Sequence, residues 1–332
     1  MPIRYVLAAV FAAVLCAACT NEAPDPATTS SRSNASILEV PGDASTINGA
    51  LAKARTGDLV LVAPGVYKEA VRITTPGVTL RGMDREKVII DGEILRANAV
   101  VVTAANVRVQ NLTVRNALQN GVLITGLTDA SGTGLAARSQ GYTRLDPAKY
   151  PPLQGFHVDH VTASNNGLYG IYAFDAQFGV IENSYASGSA DSGIYVGQCK
   201  PCHIVVRNNV AERNAIGYEG ANSGGELSIV GNRLVGNRVG ATMNSDYLEA
   251  FVPQEGTTLA GNVVAANHQE DTPAQADGGW GVGVGIAGGT KNLVQANLIE
   301  DNPTTGLSLT TRDDLPPLGN VIRGKDVYKR QG

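Results

Sequence analysis

Two stretches of the sequence carry side chains whose types and spacing could do chemistry. The segment CKPCH, from Cys199 to His203, has the C-x-x-C-H spacing by which haem is attached covalently to proteins. The segment YGIYAFDAQ, from Tyr169 to Gln177, places tyrosines beside an aspartate, and both side-chain types can transfer protons. What either segment does depends on the structural elements that hold it.

Composition favours many short strands and excludes a nucleic-acid partner. The 332 residues include 39 Gly and only 5% aromatic residues. The apolar residues lie in short Val, Ile, Leu and Ala runs, which are typical of short buried strands. The chain has 26 Lys and Arg against 30 Asp and Glu, a net charge of −4, and no basic cluster. A protein that binds nucleic acid would need such a cluster.

The first 18 residues have the pattern of a secretory signal peptide, with one early Arg, an apolar core and small residues ahead of Cys19. The segment CAAC, from Cys16 to Cys19, resembles a bacterial lipoprotein processing site, which implies a lipidated Cys19; ordinary cleavage is the alternative. Residues 19–35 are rich in Ser, Thr, Ala and Pro and predict a flexible tether. We expect an exported protein that is either secreted or held in the cell envelope, touching the membrane only through a lipid anchor.

A repeat organises the remaining domain, residues 36–332. Asn recurs five positions after Asn, with two relaxed copies, in NLTVRN (111–116), HVTASN (160–165), NSYASG (183–188), NVAERN (209–214), NRLVGN (232–237), NVVAAN (262–267) and NLIEDN (297–302). From His160 onward the copies are 23, 26, 23, 30 and 35 residues apart. Because a unit of about 23 residues cannot bury its own apolar face, the copies must stack on one another.

Stacking at the interstrand spacing of about 4.8 Å predicts an all-β fold, a right-handed single-stranded parallel β-helix of about ten coils. We expect each repeated Asn to bond the next Asn along the stack and also to adopt the left-handed backbone of a turn. Ile47, Leu51 and Ala54 recur at i, i+4 and i+7. This spacing predicts an α-helix over residues 45–55 that caps the N-terminal end of the stack.

Several segments resemble exported bacterial proteins with parallel β-helix repeats, of the pectin-lyase-like superfamily. They are SGIYVGQ (192–198), IVVRNN (204–209), NAIGYEGANS (214–223) and the opening segment 45–82. The resemblance covers roughly residues 36–325 and implies the β-helix fold. It implies no single activity, since the superfamily includes lyases, hydrolases, esterases, epimerases and proteins without a known reaction.

On this fold the segment CKPCH lies in a turn between two strands of one coil. Haem attached there would stack on the outside of the solenoid, and no nearby Met or His offers a second axial ligand. Zinc would need two ligands besides the cysteine pair, and His203 alone does not complete that set. We therefore expect no haem, and a turn in which a half-exposed Cys199 and Cys202 form a disulfide or remain thiols. An exported compartment favours the disulfide.

Aligning the strands by the Gly that opens each one predicts a column of outward side chains, because side chains alternate along a strand. The column holds Leu123, Tyr172, Tyr195, Glu219, Thr242 and Ser308. Four insertions are expected to wall a lateral groove beside it, at residues 126–156, 244–257, 268–280 and 310–318. A groove of aromatic and acidic side chains suits an extended glycan, whose C–H faces pack on tyrosine rings and whose hydroxyls bond carboxylates and amides.

The candidate site residues are the acidic, aromatic and amide side chains nearest this groove. The catalytic candidates are Tyr172, Asp175, Asp191 and Glu219. The substrate-binding candidates are Tyr172, Tyr195, Gln177, Asn222 and Asn244. The surroundings of Tyr172 resemble the Tyr-Gly-x-x-Asp neighbourhood of β-helical uronan epimerases, although no His follows at the expected place. Hydrolysis would instead use two carboxylates about 5 to 9 Å apart.

Each acid also has a purely structural interpretation. Asp191 could cap a turn, and Glu219 could solvate an exposed face. No metal site can be assigned from the sequence. The acidic residues could instead hold Ca²⁺, which would bridge protein carboxylates to uronate groups and offset the acidic charge.

Three functions remain open at this point. The leading hypothesis is a cell-envelope protein that binds a polysaccharide. Such a protein could also modify the polysaccharide, as a lyase, an epimerase or a hydrolase. The second is a periplasmic maturation factor similar to the copper-handling β-helix protein of nitrous oxide reductase assembly, although Met83 and Met243 are the only methionines beyond the first residue. The third is a surface module without a small ligand, whose protein partner the sequence does not identify.

Overall fold

The computed structural model describes residues 35–131, 135, 144–274, 279–324 and 326–328, which form 27 β-strands and one short α-helix. Residues 1–34 lie outside the described residues, and with them the predicted signal peptide, Cys19 and nearly all of the predicted tether. Within the described part of the chain, no helix is long and apolar enough to cross a membrane.

The strands are short and follow one another closely along the chain. In chain order they are β1 (Ile37–Val40), β2 (Leu59–Val62), β3 (Gly65–Tyr67), β4 (Val71–Ile73), β5 (Thr79–Gly82), β6 (Val88–Asp91), β7 (Asn98–Val102), β8 (Val107–Arg115), β9 (Asn120–Thr125), β10 (Leu153–Ser164), β11 (Ile171–Phe174), β12 (Ala176–Glu182), β13 (Tyr185–Ser187), β14 (Ser192–Cys199), β15 (Ile204–Arg207), β16 (Val210–Glu212), β17 (Ile216–Val230), β18 (Arg233–Val235), β19 (Val239–Asn244), β20 (Glu255–Ala260), β21 (Val263–Ala265), β22 (Val282–Ala287), β23 (Leu293–Gln295), β24 (Leu298–Glu300), β25 (Thr305–Thr310), β26 (Val321–Arg323) and β27 (Asp326–Tyr328).

Every strand pairs in parallel with the equivalent strand of the next winding, so that the strands form three columns. The first column contains β1, β2, β5, the start of β8 and of β10, then β12, β15, the end of β17, β20, β23 and β26. The second contains β3, β6, the ends of β8 and β10, then β13, β16, β18, β21, β24 and β27. The third contains β4, β7, β9, β11, β14, the start of β17, β19, β22 and β25. The predicted all-β parallel β-helix of about ten coils is confirmed.

The core is a stack of inward apolar side chains, one level per winding. In the third column Ile171 lies between Val122 and Ile194, and Tyr218 follows Ile194. All four side chains are fully buried. Burial of one such side chain contributes about 1.5–3 kcal/mol. A tyrosine fits at position 218 because its neighbours Gly220 and Ala241 are small.

Asparagine side chains continue this stack where the chain turns. Two ladders run through the later windings, one of Asn209, Asn232, Asn262 and Asn297, and one of Asn214, Asn237, Asn267 and Asn302. Asn209 is typical, since its Nδ2 donates to the Oδ1 of Asn232 and to the carbonyl of Ile181. Its Oδ1 accepts from the backbone N–H of Ser184. The predicted Asn-to-Asn bonding is therefore present in these four copies.

The expectation that the same Asn also adopts the left-handed turn conformation is wrong. That conformation belongs to the preceding residue, which is Asn208 at φ 55° before Asn209 and Gly231 at φ 66° before Asn232. In the earlier copies Asn111 (φ 54°) and Asn183 (φ 50°) hold this turn position, so these copies are offset by one residue from the later ones. The turn residue directs its side chain outward and the next residue directs its own inward, so one Asn cannot do both.

A short helix covers the N-terminal end of the stack, as predicted. It begins later and ends earlier than the expected range 45–55, since α1 spans Ile47–Leu51. Ile47, Leu51 and Ala54 are buried as the spacing requires. Thr46 accepts the N–H of Gly49, and the Glu69 carboxylate accepts the N–H groups of Ile47 and Asn48.

Asn209→Ala should lower the free energy of unfolding by about 2–4 kcal/mol, because it leaves the buried N–H of Ser184 without its acceptor and removes the Nδ2 hydrogen bonds to Ile181 and Asn232. The adjacent change Asn208→Gly is the matched control, and it should alter stability by less than about 0.5 kcal/mol, because that exposed residue already has φ 55°. Urea denaturation of both variants measures the difference. Equal effects at the two positions would contradict the ladder assignment.

Candidate functional site

The predicted outward column lies on the third column of strands in the expected register. Tyr172 pairs with Leu123 of the previous winding and with Tyr195 of the next. Tyr195 then pairs with Glu219, and Glu219 with Thr242. Gly285 separates Thr242 from Ser308, so the column has a gap at that winding.

A cavity of about 600 Å³ lies over this column. Its floor contains Leu123, Tyr172, Tyr195 and Glu219. Its walls come from three of the four predicted insertions, through Leu127 and Leu135, through Asn244 to Asp246 and Glu249, and through Arg312. The expectation for the fourth insertion is wrong. Its residues His268 and Trp280 line a separate depression, because this insertion precedes a third-column strand instead of following one.

Four aromatic rings pack together on the cavity floor. Tyr172 stacks on Tyr169 with 4.3 Å between ring centroids, and meets the edge of Tyr195 at 4.8 Å. Phe174 lies 5.4 Å from Tyr172. The ring of Tyr195 lies along its strand over Gly197, where a Cβ would approach the Tyr195 ring within 2.3 Å. Tyr195 is only 3% exposed, whereas Tyr172 is half-buried and presents its ring to the cavity.

A buried carboxyl group adjoins these rings. Glu219 is 7% exposed, and its Oε2 lies 2.5 Å from the hydroxyl of Ser192. The Ser192 hydroxyl also lies 3.0 Å from Asp191 Oδ1. A hydroxyl has a single proton to donate, so Ser192 can donate to Asp191 while it accepts from a protonated Glu219. Burial, and next the nearby Asp191 carboxylate, raise the pKa of Glu219 well above its ordinary range.

Two further acids reach the cavity from the segment after β19. Glu249 is 9% exposed, and its charge helps to raise the pKa of the buried Tyr195 hydroxyl, for which burial is the main cause. Asp246 lies at the rim, with its Oδ2 3.8 Å from the Arg312 guanidinium. Of the described residues that line the cavity, Arg312 is the only cationic one.

Asp175 is not part of the cavity, contrary to the prediction for it. It follows β11 in the left-handed conformation, at φ 57°, and stacks below Gly126, where an added Cβ would lie 2.9 Å from its Oδ2. Its side chain is fully buried, and neither carboxylate oxygen has a hydrogen-bond partner among the residues that the structure describes. Burial therefore raises the pKa of Asp175 to about 7.

Of the three amide candidates for substrate binding, Asn244 lines the cavity and the other two do not. Asn222 is fully buried below it, where its Nδ2 donates to the carbonyl of Asp246 at 2.6 Å and its Oδ1 accepts the N–H of Asp246 at 2.9 Å. Gln177 lies in the first column on β12 and accepts a hydrogen bond from Gln154. Asn222 thus positions the cavity wall, and Gln177 faces another side of the molecule.

The CKPCH segment is a turn between β14 and β15, as predicted. Cys199 and Cys202 form a disulfide, and both are fully buried, so the expected half exposure is wrong. With both sulfur atoms bonded to each other, neither can attach haem. His203 stacks on the Phe178 ring at 4.4 Å, and its Nδ1 lies 2.8 Å from Glu226 Oε2.

One group of side chains among the described residues could hold a metal ion, and it lies away from the cavity. His157, Asp159 and Glu182 place one ligand atom each within 4.8 Å of the others on the first column. Glu182 already bonds His157 at 2.8 Å and Arg207 at 2.6 Å. The carboxylate is therefore neutralised by a cation of the chain itself. A Ca²⁺ ion in the cavity stays a prediction.

Sequence reasoning missed Tyr169, Phe174, Glu249 and Arg312. Tyr169 and Phe174 flank Tyr172 in the segment YGIYAF, and the density of aromatic residues there was a usable signal. Glu249 and Arg312 lie in irregular segments of insertions. No periodicity marks which loop residue turns toward the strands.

Asp175→Asn should stabilise the protein by about 1–3 kcal/mol at pH 8 and change its stability little at pH 4. Because burial raises the folded-state pKa of Asp175 to about 7, its carboxyl ionises more readily in the unfolded chain, so the loss of stability grows from about pH 4 and reaches its full size above about pH 7. Asp301→Asn is the matched control, because Asp301 is exposed and has the same left-handed backbone, at φ 52°. Thermal melts from pH 4 to pH 8 should show a gain in stability that rises with pH for the variant at position 175 alone. A gain in stability that does not vary with pH would contradict the raised pKa of Asp175.

The chain was compared with known families and solved structures. Residues 98–264 match the model of the right-handed β-helix region. No curated protein sequence is significantly similar to this chain. Among solved structures, the chain is similar to the A-module of the mannuronan C-5 epimerase AlgE4 of Azotobacter vinelandii, with 15% identity and a TM-score of 0.52 over 87% of this chain and 92% of that one.

Two other solved structures share the fold. The enzymatically active domain of tailspike protein 2 from bacteriophage CBA120 is 11% identical, with a TM-score of 0.54 over 90% of this chain and 43% of that one. XylC in complex with xylose is 11% identical, with a TM-score of 0.50 over 80% of this chain and 66% of that one. Identities this low support the fold alone. Since the family model covers half of the sequence and the strands have the expected parallel register, the chain belongs to the right-handed β-helix family.

Proposed function

We propose that this protein binds a polysaccharide in the cavity on its third column and modifies the bound sugar through the buried carboxyl group of Glu219. The observation that carries the proposal is the contact between a ring surface, Tyr169, Tyr172 and Tyr195, and a buried acid on the next winding. Sugars have apolar C–H faces and many hydroxyls, so they need aromatic and polar groups side by side.

The geometry also suits a bound chain. The floor is formed by equivalent positions of successive windings, from Leu123 to Glu219, so its rings and acid follow one line along the molecule. The volume of about 600 Å³ lies in the usual range for small-ligand sites. A glycan lying along the floor would place sugar units over Tyr172 and beside Glu219.

Glu219 is the proton donor in this proposal. Burial keeps its carboxyl group protonated near neutral pH, and a neutral carboxylic acid is the form that can protonate a leaving oxygen. Asp191 receives a hydrogen bond from Ser192 and so lies beside the proposed proton donor. Tyr172 and Asn244 orient the sugar.

The names of similar solved structures agree with this substrate class. Mannuronan C-5 epimerase acts on a polysaccharide by its name, and XylC was solved with a sugar bound. The N-terminal sequence supports the further proposal that the protein is exported, with Cys19 lipidated or the chain secreted. The copper-handling alternative gains no support, since Met243 is buried in the core and Met83 is exposed elsewhere.

Tyr172→Ala should weaken binding of an oligosaccharide about tenfold or more, because it removes the accessible ring of the floor. Phe178→Ala is the control, since Phe178 is an exposed aromatic residue outside the cavity. Titration calorimetry against a panel of oligosaccharides measures both variants. Retention of full affinity by Tyr172→Ala, or the lack of any binding by the wild-type protein, would contradict the proposed site and favour a module without a small ligand.

Glu219→Gln should lower turnover of a cleaved or epimerised oligosaccharide at least a hundredfold, while its dissociation constant changes by no more than a few fold. Glutamine keeps the shape and the hydrogen bond to Ser192 but holds no transferable proton. Product analysis together with calorimetry separates the two quantities. Unchanged turnover would remove Glu219 from the chemistry without affecting the binding proposal.

A further inference from the structure

The charges around the cavity restrict the class of sugar that it can hold. Glu219, Asp246 and Glu249 line it, and Asp191 contacts Glu219 through Ser192. Glu219 and Glu249 are each at least 90% buried. Within the described lining, Arg312 is the only cation, and Asp246 lies 3.8 Å from it. Even with Glu219 protonated, the acids outnumber the cation.

The carboxylates of the cavity that are ionised act strongly on a ligand, because protein encloses them. Salt screens charges on an open surface within about 8 Å, but it screens charges enclosed by protein much less. A uronate sugar over Tyr172 would place its carboxylate near Glu219 and Asp191, and Arg312, the one cation of the described lining, already has Asp246 as its neighbour. Proton abstraction from a uronate also requires that its carboxylate be neutralised. Both conditions disfavour acidic glycans.

The hydrogen-bonding groups point to the same class. Asn120 lines the cavity at 4% exposure; its Nδ2 donates to Asn98, and its Oδ1 accepts no hydrogen bond from the described residues. The carboxylates of Asp246 and Glu249 are acceptors as well. The lining is therefore rich in acceptors and needs a ligand that donates. A sugar ammonium group supplies three donors and a positive charge at once.

We propose that the cavity is specific for glycans without carboxylate or sulfate groups, and that it binds amino sugars with a free ammonium group more tightly than neutral sugars. This inference rests on the proposed function, since it assigns the substrate class of the same cavity. The affinity of the cavity is highest for amino sugars, lower for neutral sugars and lowest for uronates.

The test is calorimetry with three β-1,4-linked oligosaccharides of equal length, made of glucosamine, glucose and mannuronate, at a pH that keeps the amine protonated. The glucosamine oligomer should bind at least tenfold more tightly than the glucose oligomer, and added salt should reduce that ratio. The mannuronate oligomer should bind most weakly. If the mannuronate oligomer binds more tightly than the glucose oligomer, with or without Ca²⁺, the proposed preference against acidic glycans is wrong, while the proposed function still stands. If no oligomer binds, both the preference and the proposed function are wrong.

Two variants should move the glucosamine-to-glucose affinity ratio in opposite directions. Glu249→Gln removes a negative charge and should lower the ratio several fold, whereas Arg312→Gln removes the cation and should raise it. Glu226→Gln is the control, because Glu226 is exposed on β17, contacts His203 and is not among the lining residues, so it should leave the ratio unchanged. Thermal melts verify that each variant is folded. A ratio that is the same in all three variants would overturn the inference.

Discussion

Parallel strands lie about 4.8 Å apart, and in this protein that spacing decides which residues become neighbours. Residues 23 to 35 positions apart in the sequence stack directly, as Asn209 does on Asn232 and Asn262 on Asn297. Each ladder Asn before the last one bonds both the next Asn and a backbone carbonyl, so a slip of one residue would leave several buried polar groups unpaired. The ladders thereby fix the register at the turns, where the regular strand pairing ends.

The candidate site is a product of this register. Tyr172, Tyr195 and Glu219 come from three windings and meet only because their strands are aligned. The wall is fixed from the same windings, since Asn222 bonds the backbone of Asp246 and the Gln198 side chain accepts the N–H of Ala250. Gln198 directly precedes the disulfide-closed turn. The stack that stabilises the fold therefore also holds the cavity open and in shape.

Acids on the two sides of the molecule have different surroundings. On the first column Glu182 meets Arg207 and His157, and Glu255 meets Lys200 and Lys291. On the cavity side Glu219 has an acid and a hydroxyl as its neighbours. A buried carboxyl without a cation favours its protonated form and costs stability. Such an arrangement is more typical of binding and catalytic sites than of surfaces that only support the fold.

The sequence by itself determined the windings, because a repeat of short strands cannot bury its apolar face except by stacking. It also determined the outward column, since alternation along a strand fixes which side chains share a face, and so Tyr172, Tyr195 and Glu219 could be aligned by counting from Gly. The N-terminal helix followed from the stripe of Ile47, Leu51 and Ala54.

Only the tertiary structure decided what the irregular parts do. Asp175 and Asn222 look like site residues in the sequence. Asp175 directly follows β11 and Asn222 lies within β17, but both have a left-handed backbone and a fully buried side chain. The sequence also does not show the one-residue offset between the early and late Asn copies, because Asn is suited to the turn position and to the ladder position alike. Glu249 and Arg312 reach the cavity from loops, whose paths depend on contacts with distant windings. Periodicity can be read from residues that are close in the sequence, whereas the path of a loop depends on contacts between residues that are far apart in it.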